Sequence, residues 1–446
     1  MTENKGKLLI SGFVRTESPL HIGCGSDQRS DMDILLACEG KPFIPATSFV
    51  GVLRSLIKQN DAEFEKKADK FWGYARGEEG QQSAIRCSDL VCQSEKPIII
   101  RDGIKLDSRN GMVKHQGKYD YEILERGAEF SLNMEFSYTS ADYDFVKTMT
   151  ATIYHLLANG KIRVGAKTNN GLGEIRLAEN NTKIYRFDFS KKQNVFQWLI
   201  KRDKKDFSPE NIIKAELLGT PFETAANRFC MDITLELKNS LIIRSYPGDP
   251  EMPDAVHMKS SDDWVLTGSS FKGAIRARAE RIAKTIGKSD KIVKELFGFV
   301  DENKAGKGGS KKGKIRVREI VLPKFAAELQ NRIKIDRFTG GTIEGALFDT
   351  MPLFCNSSEK VEKVIIEVPK CHPAEAGLLL LVLKDLWTGD LAVGGEKNVG
   401  RGVFKGTKAI IEWDNEKFVI DGNWSKMPSD TKKKLQERVT ALHQEK

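Results

Sequence analysis

The chain has 446 residues, 40% of them hydrophobic and 30% charged, with a formal net charge of +9 and a pI near 9.0. At about 100–200 residues per domain this length predicts two or three globular units, and the composition excludes a disordered or fibrous chain. Membrane spanning is excluded too, because the longest apolar run, residues 378–383, ends at Lys384 and Asp385.

Residues 7–14 alternate apolar and polar side chains, which predicts a half-buried strand. Thr47-Ser48 then stands where a helix N-cap belongs, ahead of Val52, Leu53, Leu56 and Ile57 at helical spacing. A strand is expected around Ile85, a second helix over 143–158, a Gly-rich segment over 164–173 and a last strand over 173–177. Residues 191–227, with Phe196, Trp198 and Lys201-Arg202-Asp203-Lys204-Lys205, read as a helical connector. The same order then returns: a strand at 231–237, a helix after Ser269-Ser270, a strand around Ile315, a helix over 375–386, and a Gly-rich segment leading into a strand at 402–404. The order strand, helix, strands, helix, strand is that of a ferredoxin-like α+β domain.

The motifs themselves repeat. Phe43-Ile44-Pro45-Ala46-Thr47-Ser48-Phe49-Val50-Gly51 is answered by Val265-Leu266-Thr267-Gly268-Ser269-Ser270-Phe271-Lys272-Gly273. Phe71-Trp72-Gly73 is answered by Leu296-Phe297-Gly298, Ile104-Lys105-Leu106-Asp107 by Ile333-Lys334-Ile335-Asp336, and Gly171 by Gly400. An ordered series with nearly constant offset is a tandem duplication of a whole domain, since solenoid repeats recur at far shorter periods. The expected division is a first domain over 1–190, a connector over 191–227, a second domain over 228–426 and a charged helix or tail over 427–446. Residues 1–5 lack the apolar core of a signal peptide, so the expected location is the cytoplasm. Seven cysteines without a Cys-x-x-Cys pair argue for buried thiols rather than a zinc site.

The first helix of each half begins on small hydroxyl residues, Ser48 and Ser270, with Arg54 in one half and Lys272 and Arg276 in the other. Free N–H groups and the helix dipole make such an end a phosphate site. The alternative is a plain capped helix with surface cations. Gly165, Gly171 and Gly173, and Gly394, Gly395, Gly400 and Gly402, would let backbone approach a ligand, with Lys167, Asn170, Lys397 and Arg401 beside them. These segments follow a helix and precede a strand, the reverse of Walker and Rossmann loops. A duplicated cradle suits a repetitive ligand such as a nucleic-acid backbone. Lys304, Lys307, Lys311, Lys312, Lys314, Arg316 and Arg318 add a basic stretch that reads as a polyanion contact or as a solvated loop.

Leu20-His21-Ile22-Gly23, the Asp-containing loop after it, the residues from Pro42 to Gly51 and the Gly-rich segment ending each half resemble the RAMP (repeat-associated mysterious protein) superfamily. The likeness is to the branch that forms the backbone of type III CRISPR effector complexes, here as two fused copies. The resemblance implies two ferredoxin-like (RRM-like) domains, each with a thumb hairpin that inserts between guide and target bases. Ile333-Lys334-Ile335-Asp336-Arg337 with Gly345-Ala346-Leu347-Phe348 matches one thumb, and its first-half counterpart runs from Ile104 to Phe130. The implied partners are guide RNA, target RNA and other type III subunits, with no membrane.

The resemblance also implies a loop aspartate that supports Mg²⁺-dependent (or other divalent-cation-dependent) target cleavage. Counting back from the first-helix motif gives Asp33, with Asp31 its rival, and Asp254 in the second half. A carboxylate there could hold Mg²⁺ beside a scissile phosphate; the alternative is a solvated turn aspartate. His21 reads either as an RNA-positioning residue or as the general base of a guide-processing endoribonuclease. A non-catalytic scaffold with the same RNA grip stands beside these readings. The halves differ as well: Leu241-Ile242-Ile243-Arg244 replaces the Leu-His-Ile-Gly motif, and Ala166 replaces a second Gly.

Overall fold

The computed structural model describes residues 5–25, 30–58, 61–107, 111–201, 207–222, 228–247, 249–300, 309–355, 359–422 and 427–444. Lys304, Lys307 and residues 202–206 of the expected connector lie outside them. The chain is mixed α+β and forms two compact units: one takes in 1–100, 121–168 and 172–225, the other 101–120, 169–171 and 226–446.

In the first unit, β1 (Gly6–Thr16) is the axis. Alternation sends Leu8, Ile10 and Val14 into the main core and Leu9 to the opposite face. Helices α1 (Ala46–Leu56) and α2 (Ala62–Trp72) follow, then β2 (Ile85–Cys87), the hairpin strands β3 (Ile98–Leu106) and β4 (Val113–Leu124), whose residues 101–120 count with the other unit, and β5 (Glu129–Tyr138). Next come α3 (Tyr143–Ala158), β6 (Ile162–Arg163), β7 (Glu174–Leu177), β8 (Lys183–Asp188) and α4 (Lys192–Lys201). The sheet runs β6-β7-β1-β5-β2, all antiparallel, with β8 sharing the β7 edge of β1. Phe49 and Leu53 of α1 and Met149, Ile153 and Leu157 of α3 bury the main face. On the other face Leu9, Tyr185, Phe187, Trp198 and Phe207 form their own cluster. Trp198, on the segment read as connector, stands edge-on to Phe187 at 5.2 Å. Phe222 does the same to Phe64 at 5.1 Å.

The second unit is built on β9 (Arg228–Leu237), every second residue of which is buried. Helices α5 (Gly268–Thr285) and α6 (Lys291–Phe297), β10 (Arg316–Val317), β11 (Lys360–Pro369), α7 (Pro373–Thr388), β12 (Phe404–Trp413), β13 (Glu416–Asp421) and α8 (Ser429–Gln444) complete it. The antiparallel sheet runs β10-β11-β9-β12-β13. Leucines 378, 379, 380 and 383 are all buried because α8 covers the face of α7 that the sheet does not. Gly377 permits this: a Cβ there would overlap the Arg438 carbonyl of α8. No helix among the described residues is long and apolar enough to cross a membrane.

Two expected caps move. Helix α1 starts at Ala46, with Pro45 at the N-cap and no local side-chain cap, and α5 starts at Gly268, where the Thr267 hydroxyl accepts the Ser270 N–H. Ser48, Ser269 and Ser270 therefore lie in first turns rather than at caps. The repeated aromatic-Gly motif ends α2 and α6, whose following residues, Gly73 and Gly298, have φ of +76° and +81°. That left-handed region favours glycine.

Candidate functional site

In both units the Gly-rich turn folds onto the segment that leaves the central strand. In the first, the Ala166 N–H donates to His21 O at 2.8 Å, Gly173 N–H to Pro19 O at 2.8 Å and Val164 N–H to Gly173 O at 2.8 Å. The second repeats the pattern: Gly395 N–H to Ile242 O at 2.8 Å, Gly402 N–H to Ser240 O at 2.7 Å, Val393 N–H to Gly402 O at 2.9 Å. A Cβ on Gly165, Gly173, Gly394 or Gly402 would overlap His21 O, Val164 O, Ile242 O or Val393 O respectively. The Cβ direction of each of these glycines is thus filled by the protein's own backbone, which requires glycine there. Gly400, at φ +86° with nothing within 4 Å, is the open one of the set.

At the heart of each turn sits a non-glycine residue in the left-handed region, Lys167 at φ 55° and Glu396 at φ 54°. The Lys167 ammonium lies 4.3 Å over the Tyr121 ring, and burial lowers its pKa. His21 is buried, its Nδ1 2.6 Å from Glu122 O and its ring edge-on to Tyr121. In the second unit Glu396, its side chain 5% exposed, meets Arg244 at 3.1 Å, Arg332 at 2.9 Å and Arg401 at 2.8 Å. Burial alone would raise this carboxyl, but hydrogen bonds from Arg401 and Arg244 and the Arg332 charge outweigh it and hold it low. Arg401 is itself buried and also donates to Ser240 and Gln330. Its expected role of offering charge to a ligand is corrected: the guanidinium is consumed inside the fold. Lys397 is exposed, and Asn170 lies half-buried in the 3-10 turn Thr168–Asn170.

The helix N-termini differ. Asp89 Oδ1 accepts the Ala46 N–H at 2.7 Å, so a carboxylate already occupies the positive end of α1, where a phosphate was expected. Ser48 is exposed, and exposed Arg54 lies 3.8 Å from Asp69, which Arg76 binds at 2.6 Å. At α5 no carboxylate among the described residues accepts from the first turn; the Thr267 hydroxyl does. Lys272 is half-buried, and burial together with Arg276 and Lys312 pushes its pKa down to about 8. Arg276 pairs with Glu280 at 2.9 Å, and Lys312, lowered by burial and Arg316, sits on the strand Ser310–Lys312.

On the second hairpin Lys334 and Arg337 are exposed. Asp336 Oδ1 accepts the Phe338 and Thr339 N–H groups at 2.9 and 2.8 Å, closing a turn that holds Phe338 99% exposed. Sequence reasoning missed Phe338. The Asp-x-Phe-Thr-Gly-Gly string around it was the available signal.

Strand register decides which aspartates correspond. Gly23 pairs with Ile34 and Arg244 with His257, and Leu35 N–H to Ile22 O matches Met258 N–H to Ile243 O. Asp31 lies three residues before Ile34, and Asp254 three before His257. The equivalent pair is therefore Asp31 and Asp254, and the counterpart of Asp33 is Val256, which corrects the matching of Asp33 with Asp254. Asp33 is buried, with Oδ1 accepting the Ser30 hydroxyl at 2.5 Å and Oδ2 partnerless among the described residues. Asp31 and Asp254 are exposed, and Asp254 Oδ2 accepts the Asp349 N–H at 3.0 Å. Among the described residues no three His, Cys, Asp or Glu side chains gather to hold a metal ion.

A family model described as the RAMP superfamily matches residues 13–176 and 234–405, one stretch in each half and together well over half the chain. No curated protein matches.

Proposed function

The chain belongs to the RAMP superfamily, and we propose that it is a double RNA-binding backbone subunit of a type III CRISPR ribonucleoprotein that cuts target RNA once per domain. The observation that carries this reading is the doubled assembly: a Gly-rich turn seated on the strand-end segment, a hairpin beside it, and an exposed aspartate three residues before an equivalent ladder position, Asp31 and Asp254. The strand orders β7-β1-β5-β2 and β10-β11-β9-β12 support a ferredoxin-like core in each unit. The hairpins β3–β4 and 330–351 are the thumbs, and Phe338 at the second tip offers a ring for stacking on a base. Lys272, Arg276 and Lys312 supply the phosphate contact of the second domain.

Magnesium is commonly held by one or two carboxylates with phosphate oxygens and water completing its shell. The exposed carboxylates of Asp31 and Asp254 fit that requirement, whereas Asp33 is buried behind Ser30 and supports the loop. A divalent ion held there would neutralise charge on the cleaved phosphate. The decisive experiment compares Asp31→Ala, Asp33→Ala and Asp254→Ala in the reconstituted complex. Asp31→Ala and Asp254→Ala should each lose one cut with target binding intact, and Asp33→Ala should chiefly lower stability. Full cleavage by the Asp31→Ala/Asp254→Ala double variant would leave an RNA-binding scaffold. The burial of His21 and its bond to Glu122 O argue against a guide-processing base.

A further inference from the structure

Lys167 and Glu396 occupy the same place in their turns, four residues before Gly171 and Gly400 respectively, with φ values one degree apart. A side chain in the left-handed region carries a conformational cost and persists where its surroundings over-determine it. The surroundings here are hairpin bases. Lys167 reaches Tyr121, at the base of the hairpin on β4, and Tyr121 in turn backs His21 of the strand-end motif. Glu396 reaches Arg332, on the hairpin strand Gln330–Arg332, and Arg244 of the strand-end segment. Arg401 bridges the same elements from the turn, touching Glu396, Ser240 and Gln330. The two residues have opposite charge and use different chemistry, a cation over a ring and a carboxylate among guanidiniums, yet tie the same three elements together.

We propose that this left-handed residue is a positioning residue in each unit, fixing the hairpin base against the turn: Lys167 through Tyr121 in the first, Glu396 through Arg332 in the second. Its consequence for RNA rests on the reading of the hairpins as thumbs, while the mechanical claim does not. Neither side chain needs to touch the ligand. Each holds the base of its hairpin, and the opposite charges let the two bases be perturbed separately.

Hydrogen exchange on the full chain tests this with Glu396→Gln, Lys167→Met and Lys167→Arg. Loss of a charged hydrogen-bond network or a partly buried cation–π contact should speed exchange of the adjoining hairpin amides about tenfold. Glu396→Gln should do so at 330–332 and 348–351 while leaving β3 and β4 protected, and Lys167→Met the converse. Lys167→Arg, which keeps a cation over Tyr121, should restore protection, a rescue that a general packing defect would not show. Unchanged hairpin exchange in both loss-of-charge variants, or loosening spread evenly over each unit's central sheet, would overturn the proposal. Loosened hairpins with unaltered target-RNA binding would support it and count against the thumb reading instead.

Discussion

Substituting Gly402 by alanine tests whether the Gly-rich turns serve their own backbone. Gly402 is buried at φ +73°, and an added Cβ would overlap the Val393 carbonyl oxygen. Holding alanine in the left-handed region costs roughly 1–2 kcal/mol. Relieving the overlap moves the turn off Val393 and strains two backbone bonds, Val393 N–H to Gly402 O at 2.9 Å and Gly402 N–H to Ser240 O at 2.7 Å. Leaving those buried groups poorly paired adds roughly 1–3 kcal/mol each, for a total of about 3–8 kcal/mol. Gly400 is the control, at φ +86° with nothing within 4 Å, so its alanine variant meets the conformational cost alone, roughly 1–2 kcal/mol. At about 2–4 °C per kcal/mol for units of this size, Gly402→Ala should lower the melting temperature by roughly 6 °C or more, and Gly400→Ala by distinctly less. Calorimetry or circular dichroism on the full chain reads both. Equal shifts would refute the reasoning, as would a Gly402→Ala protein that melts like the parent and loses only RNA affinity.

Lys272, lowered to about 8 by burial and by Arg276 and Lys312, loses its proton in the folded state well before it does in the unfolded chain. The unfolded chain binds more protons from about pH 8 to the ordinary lysine value near 10.4, so this group lets the native state gain stability as pH rises through that window. Lys272→Met should therefore be more stable than the parent at pH 7, with the advantage shrinking by pH 10 in urea titrations. Trp198→Ala, deleting a ring buried against Phe187 and Phe207, should cost about 3–5 kcal/mol; Phe196→Ala on the same helix, 65% exposed, should stay within about 0.5 kcal/mol. Both are read by chemical denaturation. Phe338→Ala should leave the melt unchanged and weaken target binding by about 1–3 kcal/mol, the worth of one stacked base, measured by anisotropy with labelled target.

Much of the architecture was legible because its signals are local. Alternation at 7–14 and 231–237 became the two central strands, and the periodicity at 143–158 became α3. The duplication and its ordered motifs could be read from spacing alone. The hydroxyl caps were misplaced by a few residues because Pro45 and Thr267 also suit a helix start, and the α1 end is closed by Asp89 from 43 positions away.

What the sequence determined by itself was two α+β units and the segments where chemistry would gather, since period and turn chemistry are written in neighbouring residues. Tertiary structure alone decided how those residues are spent. Counting from Pro45 and Thr267 fits either Asp31 or Asp33 to Asp254 within one residue, and only the ladders Gly23↔Ile34 and Arg244↔His257 select Asp31. Gly165 and Gly394 face the carbonyls of His21 and Ile242, and buried Arg401 donates to Ser240, partners more than 140 positions away. Such pairings depend on which backbone atoms the folded sheet brings together, and no local pattern encodes that.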